Sequence, residues 1–420
     1  MLPARINSPS LLSCALRTQY GKRLSSTAVY ASGLSASGSF AAPSLVLNEH
    51  RGVTVSKPQR LGYCNDKNIK HIAAGFGFSL FASSEQVYGS GLNNHYQLGG
   101  PVRTTSIQRS EEWHIGGRKI PLPEDSGKIL GVAAGRLHSL IATTSGVYAF
   151  GDNAHGQCGQ NPEKKNVVLH ARDGSIERVE IPSDSPVVKV HTCLDTSFVL
   201  LADGSLYSFG LSEDGQVGNG RFGITWRPSA VEGDLKGEKI ISITGSTDTL
   251  IALSEKGNIV CDAFAWGQNE YGQLSALTDE MQVNVSRYLP FKIGHAVSAG
   301  TTGSSCIIAN KDGDCFVWGY QILGFGPSVT TAKTPLHLDR PLFGTATGED
   351  AKVTKVFGGN LMMAATTSSG NLFTWGSNRF GSLALGHDKD QLFPFPVYIP
   401  NAVKLAALGP DHSLFLTKCS

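Results

Sequence analysis

A strand ending in aromatic-x-aromatic-Gly recurs along this chain at a nearly fixed interval, and that repeat limits the possible folds more than any other property. It reads Tyr148-Ala149-Phe150-Gly151, Tyr207-Ser208-Phe209-Gly210, Phe264-Ala265-Trp266-Gly267, Phe316-Val317-Trp318-Gly319 and Phe373-Thr374-Trp375-Gly376, with weaker copies at Tyr30 to Gly33 and Tyr88 to Gly91. The terminal glycines Gly33, Gly91, Gly151, Gly210, Gly267, Gly319 and Gly376 lie 58, 60, 59, 57, 52 and 57 residues apart. Self-similarity of that period indicates an array of identical supersecondary units.

The two aromatic residues of each copy are spaced i, i+2, so both rings, Trp266, Trp318 and Trp375 among them, leave the same side of a strand. Such a set of rings is what neighbouring blades need to pack face to face. Two residues after the glycine stand Asn93, Asn153, Asn269 and Asn378, which read as turn residues bonding their own backbone. A second motif, small-small-Gly-x-x-polar-Ser-apolar, precedes the strand by about a dozen residues, as in Ala134-Gly135-Arg136-Leu137-His138-Ser139-Leu140. Its last copy, Gly409 to Leu414, sits near the C-terminus with no partner strand after it, while an orphan partner strand opens the repeats at Val29 to Gly33. The expected fold is therefore all-β: a seven-bladed β-propeller over residues 27–420, closed by pairing of the N-terminal and C-terminal strands.

Charge separates the first residues from the rest. Arg5, Arg17, Lys22 and Arg23 are the charges before residue 27, and the first acidic residue is Glu49. Leucines there are interrupted by Ser13, Cys14 and Arg17, which a secretory signal would not tolerate. An Arg- and Ser-rich, acid-poor segment reads as a mitochondrial transit peptide over 1–26; a tail with incidental charge is the other reading. Without that segment 32 basic residues face 34 acidic ones, a poor match to a chromatin-binding surface. No run of ~18 apolar residues predicts a membrane-spanning helix.

Covalent chemistry is not foreseen. There is no Gly-x-x-x-x-Gly-Lys-Ser/Thr loop, no His-Glu-x-x-His and no nucleophile elbow, and the histidines lack ligand spacing, so neither a cofactor nor a metal is expected. The cysteines read as reduced, buried thiols, with Cys306 and Cys315, flanking one hairpin, as the pair that could face each other. Residues 100–127 carry Arg103, Arg109, Trp113, Arg118 and Lys119. That mixture suits an RNA or partner surface, although Glu111, Glu112, Glu124 and Asp125 allow a merely solvated loop. The Pro-rich stretch 325–351 reads as structural.

These motifs resemble the regulator of chromosome condensation repeat, whose family makes seven-bladed propellers of this period, over about residues 28–418. Gln273-Leu274 with Thr278-Asp279 and Gln282 to Val285, and Val317 to Gly324 with Leu342-Phe343-Gly344, resemble the family's mitochondrial, exchange-factor-like branch. The resemblance implies a protein of the mitochondrial matrix, free or peripheral to the inner membrane, that regulates a dynamin-like fusion GTPase by nucleotide exchange. The same branch implies an alternative, a scaffold for assembly of the mitochondrial ribosomal large subunit with its rRNA and modifying enzymes. Family members use a polar face; the matching positions here are Arg136, His138, Asp195, Asp248, Asp411 and His412. Counted from the first glycine, His138 and His412 correspond to Phe78, Thr196, Asp248, Gly303 and Leu361. Each histidine reads either as a bond between neighbouring strands or as a partner contact. The β-wedge of the nuclear members has no clear copy in Asn161 to Glu180, so their chromatin role and partner do not carry over.

Overall fold

The computed structural model describes residues 27–46, 54–100, 113–164, 168–256, 260–274, 277–344 and 349–418. The expected transit peptide, and Arg103 and Arg109 in the basic and aromatic stretch, lie outside them. Among the described residues seven antiparallel sheets stand as the blades of a propeller, each a meander. Blade 1 is His71–Ala74, Phe78–Ala82, Val87–Leu92 and Trp113–Ile120. Blade 2 is Ile129–Ala134, His138–Thr143 and Gly146–Asp152, with a divided outer strand, Leu169–His170 and Arg178–Val179. Blade 3 runs from Val187–Cys193 to Gly223–Ala230, blade 4 from Ile240–Gly245 to Gln282–Tyr288, blade 5 from Ala296–Thr301 to Thr331–Leu338, and blade 6 from Val353–Gly358 to Gln391–Val397.

The seventh blade closes the ring with two strands from each end of the chain. Val403–Leu408 and His412–Lys418 form its inner half, and Thr27–Leu34 and Thr54–Arg60 its outer half. Thr27–Leu34 pairs antiparallel with His412–Lys418 in continuous register from Thr27↔Lys418 to Gly33↔His412. Burying both ends of the array in one sheet removes the open edges that a linear stack would present.

Packing between blades follows the aromatic spacing. Trp266, Trp318 and Trp375 are completely buried. Trp266 Nε1 donates to the Gln216 carbonyl and Trp318 Nε1 to the Gln273 carbonyl, both 2.8 Å, each in the Gly-Gln turn of the preceding blade. Where the ring is Phe150 or Phe209, the residue paired with it across the sheet is Ser139 or Ser197. Those hydroxyls donate to the equivalent carbonyls, of Gln97 at 2.6 Å and Gln157 at 2.7 Å. One inter-blade acceptor is thus met by two alternative donors.

Trp375 breaks the pattern. The loop after Gly319 reaches its buried Leu323 in four residues, where the loop after Gly267 takes seven to reach Leu274, and Trp375 Nε1 finds no acceptor among the described residues. Replacing Trp318 with Phe is therefore expected to cost about 1–2 kcal/mol more than replacing Trp375 with Phe, the worth of one buried hydrogen bond. Urea unfolding of the two variants measures the difference, and equal losses would show that the indole bond contributes nothing.

The turn residues behave as the repeat predicts. Asn93, Asn153, Asn269 and Asn378 each accept, at Oδ1, the N–H of the residue five positions on, at 2.6–3.0 Å. Gln97, Gln157, Gln216 and Gln273 each accept a backbone N–H two positions back through Oε1. Cys306 and Cys315 are free and do not face each other: Cys306 pairs with Trp318, and Cys315 with Ala309. The basic and aromatic stretch differs from the sequence expectation, because Trp113–Ile120 is the outer strand of blade 1 rather than loop. No described helix is long and apolar enough to cross a membrane.

Candidate functional site

In every blade the turn from first to second strand and the turn from third to fourth emerge on one face, around a central cavity. That cavity, about 370 Å³, is lined by residues of all seven innermost strands. Most of the expected face residues stand at its rim, but the structure sorts them into two sets.

The first set is buried. His138 and His412 have no exposed surface, so the partner-contact reading of these two residues is corrected. His138 Nε2 lies 2.9 Å from Ser197 Oγ and His412 Nε2 lies 2.8 Å from Ser79 Oγ, each serine belonging to the next blade. Burial pulls the His138 pKa down to about 3. Asp411 Oδ1 accepts from His412 Nδ1 at 2.7 Å. Ser79, His412 and Asp411 thereby share the connectivity of a nucleophile, base and orienting acid. Ser79 and His412 are fully buried and neither lines the cavity, so this arrangement ties the closing blade to blade 1.

The expected ring of equivalents is corrected too. The positions that pair with the terminal glycines are Phe78, His138, Thr196, Thr249, Ser305, Met362 and His412. Thr249, Ser305 and Met362 therefore replace Asp248, Gly303 and Leu361, and all seven members are buried.

The second set stands one or two positions earlier, at the turn itself. Arg136 of blade 2, with a 43% exposed side chain, forms an ion pair with the nearly buried Asp195 of blade 3. Among the described residues Arg136 Nε and Asp195 Oδ1 have no partner. Asp248 of blade 4 accepts from Gln216 Nε2 at 2.9 Å. Burial, and then Asp214 nearby, raise its pKa to about 6. Asp214 in turn accepts from Gln282 Nε2 at 2.9 Å. Further round, Tyr271 and Tyr320 stack with centroids 5.7 Å apart and an interplanar angle of 10°. Gln216, Asp214 and the two tyrosines escaped the sequence reading, although Gln216 belongs to the recurring Gly-Gln turn. The rim of blades 2 to 5 is thus a band of charged and amide groups beside an exposed aromatic pair. It can recognise another macromolecule; among the described residues no group of His, Cys, Asp or Glu is arranged to hold a metal.

The remaining sequence candidates lie elsewhere. Arg118 is engaged, donating to the Gly100 carbonyl at 3.1 Å with His114 Nε2 at the same distance, and burial lowers its pKa. Trp113 Nε1 bonds the Ser37 carbonyl, leaving part of the ring exposed. Lys119 is exposed on the same outer strand. In blade 2 the interruption of the outer strand holds Asp173, whose Oδ1 accepts from the Ser175 backbone N–H and hydroxyl at 3.0 and 2.6 Å. Arg172 lies 5.9 Å over the Tyr96 ring. Among the described residues this excursion is a compact turn lying against blade 1, with no projecting hairpin.

Comparison with known proteins places these features. Models of the regulator of chromosome condensation (RCC1) repeat match residues 203–253 and 369–416, and a second model of that repeat matches 129–157. The RCC1-like G exchanging factor-like protein of mouse is 37% identical over 363 residues, covering 84% of this chain and 77% of the mouse protein. Its human counterpart is 36% identical over the same coverage. The crystal structure of human WBSCR16 superposes with a TM-score of 0.84 at 34% identity, covering 93% of this chain and 99% of that one. Yeast RCC1 (Prp20), solved bound to Kap60, shares the fold with a TM-score of 0.73 at 18% identity, covering 96% and 92%.

Proposed function

The chain belongs to the RCC1-repeat family, among the RCC1-like G exchanging factor-like proteins, and from that premise we propose that it regulates a mitochondrial GTPase by promoting loss of bound nucleotide. The observation that carries this reading is the rim of blades 2 to 5, where the partly exposed Arg136 is held by the buried Asp195, the two leave Arg136 Nε and Asp195 Oδ1 unpaired among the described residues, and the half-buried Asp248 stands beside them on the next blade. Exchange needs no nucleophile. A factor that binds the nucleotide-free GTPase more tightly than the loaded form lowers the cost of nucleotide departure by that difference. The acid-free, Arg-spaced residues 1–26 support import into the matrix, and the dynamin-like fusion GTPase of the inner membrane is the proposed partner.

The test is release of fluorescent GDP from that GTPase. The protein should accelerate release, and Asp248→Lys, which reverses a rim charge, should reduce the acceleration about tenfold, the scale of one lost interfacial charge contact. No acceleration by the wild type, or full activity of Asp248→Lys, would overturn the reading. The stacked Tyr271 and Tyr320 favour a second one, a scaffold for large-subunit assembly, since an exposed aromatic pair can stack on bases. Crosslinking in intact mitochondria separates the two: rRNA joined to blades 4 and 5 without a GTPase would favour the scaffold. The same material reports import, because a mature N-terminus at Met1 would contradict cleavage near Thr27.

A further inference from the structure

The central cavity has a charge imbalance that neither the fold nor the rim accounts for. Among the described residues its ionisable lining is Arg136, Lys189 and His191, with no Asp or Glu. Arg136 is paired at the mouth. Lys189 and His191 are in the walls, on the inner strand of blade 3. Lys189 Nζ donates to the Ile243 carbonyl and His191 Nε2 lies against the Gly245 carbonyl, both at 2.8 Å. Cys193, two residues further, bonds the Thr247 carbonyl. Three alternate side chains thus cover the open carbonyl edge of the next blade's inner strand, which accounts for their polarity.

It does not account for the charge of Lys189. A neutral donor would cover the Ile243 carbonyl equally well, whereas an ammonium loses solvation there with no carboxylate to offset it. Lys189 is half-buried in the wall, and burial lowers its pKa to about 8. An ammonium carries three donors, and only one is used by the described residues. Ser242 and Thr244, flanking Ile243, line the same cavity and carry hydroxyls.

We propose that the central cavity binds a small multivalent oxyanion, held by the Lys189 ammonium with help from Ser242 and Thr244. The volume equals that of about a dozen waters, enough for an anion of pyrophosphate size with part of its hydration. The site lies off the rim surface proposed to meet the GTPase, and its existence does not depend on that reading.

Calorimetric titration of the full chain with pyrophosphate, orthophosphate and succinate, at ionic strength matched with chloride, tests the proposal. Binding at one site per chain is expected, with phosphates above succinate if the physiological anion is phosphorylated and the reverse if it is a dicarboxylate. Lys189→Gln should weaken binding at least about tenfold, the value of one charge-assisted hydrogen bond, while Lys355→Gln should not, since Lys355 holds the matching register position on blade 6 but is exposed and outside the cavity lining. Absence of binding by the wild type, or an unaltered affinity in Lys189→Gln, overturns the proposal. A measurement on the wild type alone removes dependence on the variant's folding: bound pyrophosphate should slow acetylation of Lys189, read by peptide mass spectrometry, and an unchanged rate while pyrophosphate binds also overturns it.

Discussion

Gly267→Ala is expected to destabilise the propeller by about 3–5 kcal/mol, enough to unfold a marginal domain. Two costs add. The φ of Gly267 is +97°, a conformation that side chains strain to adopt. A Cβ there would also stand 1.9 Å from the Asp248 carbonyl oxygen, which is backbone and already accepts the Gln268 N–H at 2.9 Å. Relief would require moving the turn that presents Asp248 at the rim. The control is Gly237→Ala, with a φ of +85° and nothing within 4 Å of the new Cβ; it should lose only the conformational share, about 1–2 kcal/mol. Denaturant unfolding of both variants compares the two. Equal losses would mean that the contact with the Asp248 carbonyl is relieved at no cost. The argument extends round the ring, because all seven terminal glycines have φ between +97° and +121° and meet the carbonyl of the residue before their strand partner.

That regularity explains why the fold was legible and why part of the site was not. The terminal glycines serve one steric purpose in every blade, so their spacing reads directly as architecture, and the offset between the two motifs reads as ring closure. Counting from the first glycine of each repeat does not locate the rim equally well in every blade. From Gly75, Gly135 and Gly409 three residues lead to Phe78, His138 and His412, but Gly245 needs four to reach Thr249 and Gly300 five to reach Ser305. The count therefore slipped in blades with longer turns; anchoring on the terminal glycines would have corrected it. The outer strand Trp113–Ile120 carries little strand signal in the sequence, with Gly116-Gly117 at its middle, and in the fold most of its residues are exposed or half-buried. An edge strand of a propeller needs no apolar alternation to hold its place. The burial of the two histidines depends on Ser197 and Ser79, 59 and 333 residues away, and nothing local in the sequence announces such a partner.

Acid should destabilise the wild type more than His138→Gln, and less than Asp248→Asn. The buried imidazole of His138 has a folded pKa of about 3, against about 6.5 in an unfolded chain. On acidification the unfolded state takes up that proton first. The stability of keeping the ring neutral is complete above about pH 6.5 and is lost at about 1.4 kcal/mol per pH unit until about pH 3. Glutamine can still donate toward Ser197 and does not titrate in this range, so by pH 4.5 the wild type should have lost about 3 kcal/mol more than His138→Gln, each measured against its own value at pH 7. Asp248 acts with the opposite sign. Its folded pKa is raised to about 6, above the ordinary carboxylate value of about 3.9. Between those limits the folded state takes up the proton first, which supports the fold as pH falls. Asparagine removes that support, so Asp248→Asn should decline more steeply than the wild type between pH 6 and pH 4. Unfolding free energies across this range read both effects. Curves that run parallel for all three proteins would place His138 and Asp248 in contact with solvent and sink the burial argument on which the sorting of the rim depends.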